Sequence, residues 1–227
     1  MTERLGFQVR TDYQRVPREL VEEFAAAQLP TPNIADVLGR FRTVADGITP
    51  VGDPTVPLVG PALTVRTRPS DNLMVHKAID IAEPGDVIAI AGDGEVAHAL
   101  LGELMCMHAR RRGVAGFVVD GPVRDGAAIS ELGFPVYAKG LTPRGPFKDG
   151  PGEIGVPISC GGAVINPGDL LVGDGDGVVV VPADAAAGVL TDAKAVLAKE
   201  EEAMRQIEAG NWDRTWVDET LQNRGCD

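Results

Sequence analysis

The hydrophobic pattern first becomes regular in residues 17–29, PRELVEEFAAAQL, where Leu20, Val21, Phe24, Ala27 and Gln28 recur at helical spacing. Thr31-Pro32-Asn33 reads as an interruption, and IADVLGRF as the start of a second short helix. Between residues 44 and 69, apolar positions alternate among prolines and predict short strands, including PALTVRTRP. Ser70-Asp71 then offers side-chain oxygens to the free N–H groups of a new helix, NLMVHKAIDIA, which stops before Pro84-Gly85.

From here the pattern settles into a rhythm. GDVIAIAG, GVAGFVVDG and FPVYAKG are short continuous apolar runs bounded by glycine, and the stretches between them read as helical. Uninterrupted apolar runs suit strands covered on both faces and joined by crossovers, so the core is predicted to be α/β with at least partly parallel strands. The segment VPISCGGAVINPGDLLVGDGDGVVVVP changes character, with Gly-Gly, Asn-Pro-Gly and Asp-Gly turns between strand-like runs. Hairpins there make the sheet mixed. The final element, from Pro182-Ala183-Asp184 through residue 209, predicts a helix of roughly 25 residues, about 38 Å long. Val189, Leu190, Ala193, Val196, Leu197, Met204 and Ile207 give it an incomplete apolar stripe, so its far end is expected to pack on another subunit. Residues 1–227 are read as one domain, with a core over about 30–182 and a C-terminal helix over about 183–209.

Composition supports this outline and removes several function classes. At 227 residues and 44% hydrophobic, the chain can bury a core without disulfides or metal staples. No run approaches the ~18 apolar residues of a membrane span, and the polar N-terminus MTERLGFQVRTDYQR is unlike a signal peptide, so a cytoplasmic protein is expected. Cys106, Cys160 and Cys226 are too scattered for a disulfide framework or zinc cluster, and the first two read as small hydrophobic residues. A formal charge of −12 repels nucleic acid. The basic run Arg110-Arg111-Arg112 is accounted for by a helix C-terminus.

The segment GVAGFVVDGPVRDG holds the strongest candidate chemistry: a buried strand ends at Asp120-Gly121, and the following turn presents Arg124 and Asp125. Ligands in open α/β sheets bind beyond the carboxyl ends of strands, where an arginine can take an anionic oxygen and an aspartate a cation. Alone, the pair is equally an ordinary salt bridge and helix cap. Upstream lies GDGEVAHALLGELMCMHARRRG. A helix covering all of it places Glu103 on an apolar stripe, which requires a partner for the carboxylate. A helix starting at Gly102 instead leaves the N–H groups of its first turn free for an anion. We favour the second, because Gly102 can open a helix and the arginine run closes it.

An acidic residue at Glu103, twenty intervening residues and then Arg124-Asp125, with GELM, VVDGPVRDG, GFPVYAKG and INPGDLLVGDGDGVVVVP around them, resembles the RraA-like family over residues 30 to 200. That family includes class II pyruvate aldolases for 4-hydroxy-4-methyl-2-oxoglutarate and 4-carboxy-4-hydroxy-2-oxoadipate. The resemblance implies a swivelling α/β/β-type fold, assembly into homotrimers or homohexamers, and a Mg²⁺ or Mn²⁺ site between subunits. By position, Asp125 would hold the metal, Glu103 would reach it directly or through water, and Arg124 would bind the keto oxygen of a pyruvate unit. The N–H groups of Leu104 and Met105, after Gly102, would hold the pyruvate carboxylate, and Glu200 of a neighbouring chain would stand behind them. The implied activity is retro-aldol cleavage of a 4-hydroxy-2-oxo diacid or triacid, with oxaloacetate decarboxylation. The same family contains regulators of ribonuclease E, so protein binding without catalysis is the alternative.

The aldolases often carry Asp at the position of Glu103, which leaves the metal contact and the substrate open. Other candidates carry less. Lys139 is read as a structural or anion contact rather than a Schiff-base nucleophile, and His76, His98 and His108 as surface or satisfied core residues. Arg144 and Lys148, in KGLTPRGPFK, could meet a distal carboxylate. No glycine-rich nucleotide turn supports methyl transfer.

Overall fold

The structure, a computed structural model, describes residues 6–45 and 47–226; Asp46, Asp227 and the first five residues of the polar N-terminus lie outside it. The chain opens with β1 (Phe7–Val9) and α1 (Arg18–Ala27), which buries Phe24 and ends as Gln28 turns left-handed at φ 47°. The next helix, α2 (Thr31–Val37), begins earlier than expected. Thr31-Pro32-Asn33 is its first turn rather than a break, because a proline there forfeits only an N–H with no helical partner. Thr31 also fixes that start, donating through its N–H and hydroxyl to Asp174 at 2.8 and 2.7 Å.

Strands β2 (Thr43–Val44), β3 (Thr49–Pro50) and β4 (Leu58–Thr67) follow, then α3 (Leu73–Ile81). Strand and helix alternate as predicted through β5 (Val87–Ala91), α4 (Glu103–Arg111), β6 (Gly116–Asp120), α5 (Gly126–Glu131) and β7 (Val136–Ala138). The hairpin-rich part comprises β8 (Gly152–Ile154), β9 (Ile158–Cys160), β10 (Ala163–Ile165), β11 (Leu170–Asp174) and β12 (Gly177–Val181). The long helix is α6 (Ala186–Glu208), 23 residues, and after it comes α7 (Thr215–Asn223), which the periodicity had not predicted. No helix of the described residues is long and apolar enough to cross a membrane.

The sheet is mixed, in the order β2-β12-β11-β4-β5-β6-β7-β3. β4 through β7 are parallel neighbours, while β11 pairs antiparallel with β4 and β12. The long β4 joins the two parts: Leu58–Pro61 pair with β11, and Ala62–Arg66 with β5.

Alternation along the strands sorts side chains into two layers. Ile88, Ile90, Phe117 and Val119 face a core closed by α3, α4 and α5. Val87, Ala89, Ala91, Val118 and Tyr137 point the other way, against the β9–β10 hairpin. A third core fills the space between β11–β12 and helices α1, α2 and α6. Each fully buried side chain of the Ile or Phe class contributes about 1.5–3 kcal/mol. With both faces covered, the C-terminal ends of the parallel strands and their loops are left to carry chemistry.

Candidate functional site

β6 is buried along its whole length and ends at Asp120, so the chain must turn out of the sheet there. The turn is held on both sides. Arg124 N–H donates to Leu101 O at 3.0 Å, Leu100 N–H to Pro122 O at 2.9 Å, and Val123 N–H to Gly140 O at 3.0 Å. Asp125 then occupies the N-cap position of α5 in a left-handed conformation, φ 61°, which short polar side chains tolerate better than most.

Helix α4 begins at Glu103 after Gly102, as the second sequence reading expected. A Cβ on Gly102 would lie 2.6 Å from Asp125 Oδ2 and 2.8 Å from Arg124 Cγ, so glycine lets both side chains lie against the helix start without being displaced. The same Asp125 oxygen accepts a 3.2 Å hydrogen bond from Glu103 N–H and lies 3.5 Å from Arg124 Nε. Met105 N–H donates to Gly102 O at 3.1 Å. Among the described residues this leaves the Leu104 N–H as the unclaimed donor of the first turn. Helix start, Arg124 and Asp125 therefore form one constellation, but Met105 enters it with its N–H already engaged.

Two hollows open on this constellation. One, of about 240 Å³, is lined by Gly102, Leu104, Met105 and Arg124 together with Asn72, His76 and Lys148, and Asn72 Nδ2 touches Met105 Sδ at 3.4 Å. The second, about 310 Å³, is lined by Arg124, Asp125, Gly126 and residues 141–143. Arg124 divides them, and Glu103 lines neither.

The sequence places Asn72 inside the helix that Ser70-Asp71 caps, and reads His76 as a surface or satisfied core residue; in the structure Asn72 stands at the N-cap position of α3, and both line the cavity. Their i, i+4 spacing on α3 was the available signal. Burial and the positive charge of Lys148 both push the His76 pKa down, so its ring is held toward the neutral form.

The segment that carries Lys148 is tied down by a buried carboxylate, Asp71, and a half-buried one, Glu95. Asp71 accepts from the N–H groups of Asp149 at 2.7 Å and Gly150 at 2.9 Å, as well as from Leu73 N–H at 2.9 Å. Ser70 contacts Glu95 Oε2 at 2.5 Å and His98 Nδ1 at 2.8 Å, and the His98 ring packs on Phe147 at 5.3 Å.

Residues 31–180 match the family model described as RraA-like, Aldolase/RraA. The chain belongs to the RraA-like family. Over 179 residues it is 44% identical to a Halalkalibacterium halodurans protein named "Putative 4-hydroxy-4-methyl-2-oxoglutarate aldolase", covering 79% of this chain and 85% of that one. An uncharacterized Pseudomonas syringae protein of solved structure superposes with a TM-score of 0.77 at 29% identity, over 87% of this chain and 96% of that one. The Streptomyces coelicolor protein RraAS2, titled an unusual member of the RNase ES inhibitor RraA protein family, gives 0.75 at 28% identity, over 85% and 100%. The RraA-like fold is therefore the mixed α/β domain expected from the sequence.

Within this RraA-like chain the remaining candidates are placed as follows. Lys139 forms an ion pair with Asp120 at 2.9 Å, both side chains largely buried, which fits the structural reading. Cys106 and Cys160 are fully buried; burial, then the negative charge of Asp125, pushes the Cys106 thiol up to about 12, and burial also raises Cys160. Arg110 and Arg112 donate to the terminal carbonyls of neighbouring helices, at Leu132 and at Ile79 and Asp80. Arg144 does not line the cavity that Lys148 lines. Glu200 accepts a 2.6 Å hydrogen bond from Asn33 Nδ2, and within one chain α6 packs on α1 and α2, not beside Arg124.

The donor set bears on which metal could be held. Among the described residues no group of three or more His, Cys, Asp and Glu side chains is placed to hold a metal ion. Asp125 and Glu103 supply hard carboxylate oxygens on adjoining segments, and the Glu103 carboxylate has no hydrogen-bond partner among those residues. Such a set fits Mg²⁺ or Mn²⁺, which are held by one or two carboxylates and complete their shell with water and substrate oxygens.

Proposed function

We propose that this protein is a divalent-metal-dependent lyase that cleaves a 4-hydroxy-2-oxo acid bearing a further carboxylate, of the 4-hydroxy-4-methyl-2-oxoglutarate or 4-carboxy-4-hydroxy-2-oxoadipate type, to release pyruvate. The observation that carries the reading is the close approach at Gly102, which brings a helix N-terminus, a guanidinium and a carboxylate to one point. The name of the Halalkalibacterium halodurans relative supports the same chemistry.

The substrate carboxylate would lie at the α4 N-terminus, on the Leu104 N–H and on a shared Met105 N–H, where the helix dipole favours an anion. Arg124 would hold the keto oxygen. Its fixed charge gains strength as that oxygen becomes an enolate, so it stabilises the transition state more than the bound substrate. Asp125 and Glu103 would hold Mg²⁺ or Mn²⁺, whose contribution when bound is Lewis acidity toward the same developing charge. Glu103, which lines neither hollow, would take the C4 hydroxyl proton through water. Oxaloacetate decarboxylation yields the same enolate, so the site should carry it too.

The exposed apolar end of α6 supports a homotrimer or homohexamer, in which Glu200 of one chain would reach the neighbour's site. A second reading, binding to ribonuclease E without catalysis, is favoured by the likeness to RraAS2.

Pyruvate release from 4-hydroxy-4-methyl-2-oxoglutarate and oxaloacetate, with EDTA and after restoring Mg²⁺ or Mn²⁺, tests the proposal. Turnover that EDTA abolishes and metal restores is expected. No turnover, together with inhibition of ribonuclease E, would move the protein to the second reading.

A further inference from the structure

The ends of β6 and β7 meet in an ion pair that lines neither hollow of the site. Lys139 Nζ lies 2.9 Å from Asp120 Oδ1, with the two side chains 17% and 10% exposed. As a stabiliser this pair is poorly made. Asp120 Oδ1 is buried and accepts no aligned hydrogen bond among the described residues, so charge alone holds the contact. A buried pair offsets the cost of leaving water only with good geometry and further hydrogen bonds, and apolar residues of similar volume often serve a fold as well or better. A pair that breaks this rule calls for another reason to be there.

Its position supplies one, because three segments converge on it. Lys139 N–H donates to Gly121 O at 3.0 Å, and Val123 N–H to Gly140 O at 3.0 Å, which joins the two strand ends around the pair. The loop after β5 is laid over it: a Cβ on Gly94 would lie 2.8 Å from Lys139 Nζ, and one on Gly92 3.0 Å from Asp120 O. From Asp120 the chain runs through one short turn to Arg124 and Asp125. From Lys139 it runs to Leu141 and Thr142, which line the hollow beside Asp125. From the loop it runs to Leu100 and Leu101, whose backbone groups bond Pro122 and Arg124. The pair thus sits at the common root of the segments that must keep their places for Asp125 to meet the start of α4.

We propose that Lys139 and Asp120 are positioning residues: their attraction, strengthened by the exclusion of water, fixes β6, β7 and the loop over residues 92–95 relative to one another, and so sets the Arg124-Asp125 turn against the start of α4. The consequence for turnover rests on the aldolase reading, whereas the placement is measured without turnover. An apolar pair of the same shape would fill the space, but its attraction is spread over a surface and not fixed on two atoms. The strand ends could then shift, and displacement on the order of an ångström is enough to slow an enzyme.

The full-length protein with Mg²⁺ is compared as wild type, Lys139→Met, Lys139→Arg and the double variant Asp120→Leu with Lys139→Met. Lys139→Met alone strands a buried carboxylate and should melt lower, while the double variant should recover the wild-type melting temperature. Amide hydrogen exchange then separates placement from stability. In the double variant the Leu100, Val123 and Arg124 amides should exchange at least about tenfold faster, while the Val189 amide of α6, which packs on α1 and α2, keeps its wild-type rate. Should the apolar pair fail to fold, Asp120→Asn with Lys139→Gln carries the same comparison.

Where pyruvate release is present, kcat of the double variant should fall about tenfold with KM within about twofold of wild type, because Arg124 acts on the developing enolate. Lys139→Arg keeps the charge and should keep most of the turnover. Wild-type exchange at the three amides, or wild-type kcat, in a double variant of wild-type melting temperature reduces the pair to ordinary packing and overturns the proposal. A wild-type protein inert toward every 2-oxo acid would refute the aldolase reading, and exchange alone would then decide the role of the pair.

Discussion

Gly102 concentrates the requirement that the sequence expressed as a spacing. A methyl group there would meet Asp125 Oδ2 and the Arg124 side chain at under 3 Å, so those two side chains would have to move. Gly102→Ala should leave the protein folded, because the neighbours are partly exposed side chains, but lower turnover by about 100-fold through misplacement on the order of an ångström. Circular dichroism with pyruvate release measures both, and full activity would remove Gly102 from the site. Asp125→Asn separates charge from shape: asparagine accepts the left-handed conformation and can still accept from Glu103 N–H. It should retain the wild-type melting temperature while losing Mn²⁺ binding, read by electron paramagnetic resonance, along with turnover. These residues were legible because each signal is local, a glycine before an apolar helix and an Arg-Asp pair after a buried strand. Asn72 and His76 were not, since only folding brings them into one cavity with Arg124.

At the scale of elements, β5, β6 and β7 were readable because continuous apolar runs have few alternatives to a doubly covered strand. The start of α2 was misread because Thr-Pro-Asn is both a loop signal and a good first turn, and the tie of Thr31 to Asp174, 143 residues away, decides between them. The loop carrying Lys148 depends on long-range ties of the same kind. Glu95 anchors it through Ser70 and His98; burial would raise its pKa, but hydrogen bonds from Ser70 and the N–H groups of Ala97 and His98 outweigh this and hold it below the ordinary 4.5. A carboxylate with a lowered folded-state pKa contributes stability that is complete above its unfolded pKa and is lost as pH falls through the folded one. Glu95→Gln should therefore lower the melting temperature at pH 7, and the gap to wild type should close as pH drops below about 4.5. Thermal unfolding across that range checks the sign; a gap that widens in acid would contradict the assignment.

At the scale of the molecule, the C-terminal part is what one chain does not explain. α6 buries Val189, Leu190 and Ala193, but Met204 and Ile207 further along are 52% and 51% exposed, and Trp216 on α7 is 56% exposed. Apolar side chains gathered at one end of a molecule mark a contact surface, and a second copy of the chain is the occupant that the proposed assembly supplies. Glu200 lies in the same helix and is not beside Arg124 in its own chain, so a part for it in catalysis requires a neighbour. Complementation follows. Glu200→Gln and Asp125→Asn subunits should each be nearly inactive alone. Mixed in equal amounts, dissociated and reassembled, they should recover activity at about one site in four, where an intact Asp125 faces a neighbour's intact Glu200. If Glu200 served its own chain, neither subunit could contribute a complete site and the mixture would stay inactive; if Glu200→Gln alone keeps full turnover, Glu200 has no part in the reaction. Sedimentation velocity on the mixture distinguishes failed reassembly from failed complementation, and Ile207→Glu with Trp216→Glu should shift the same boundary toward the monomer.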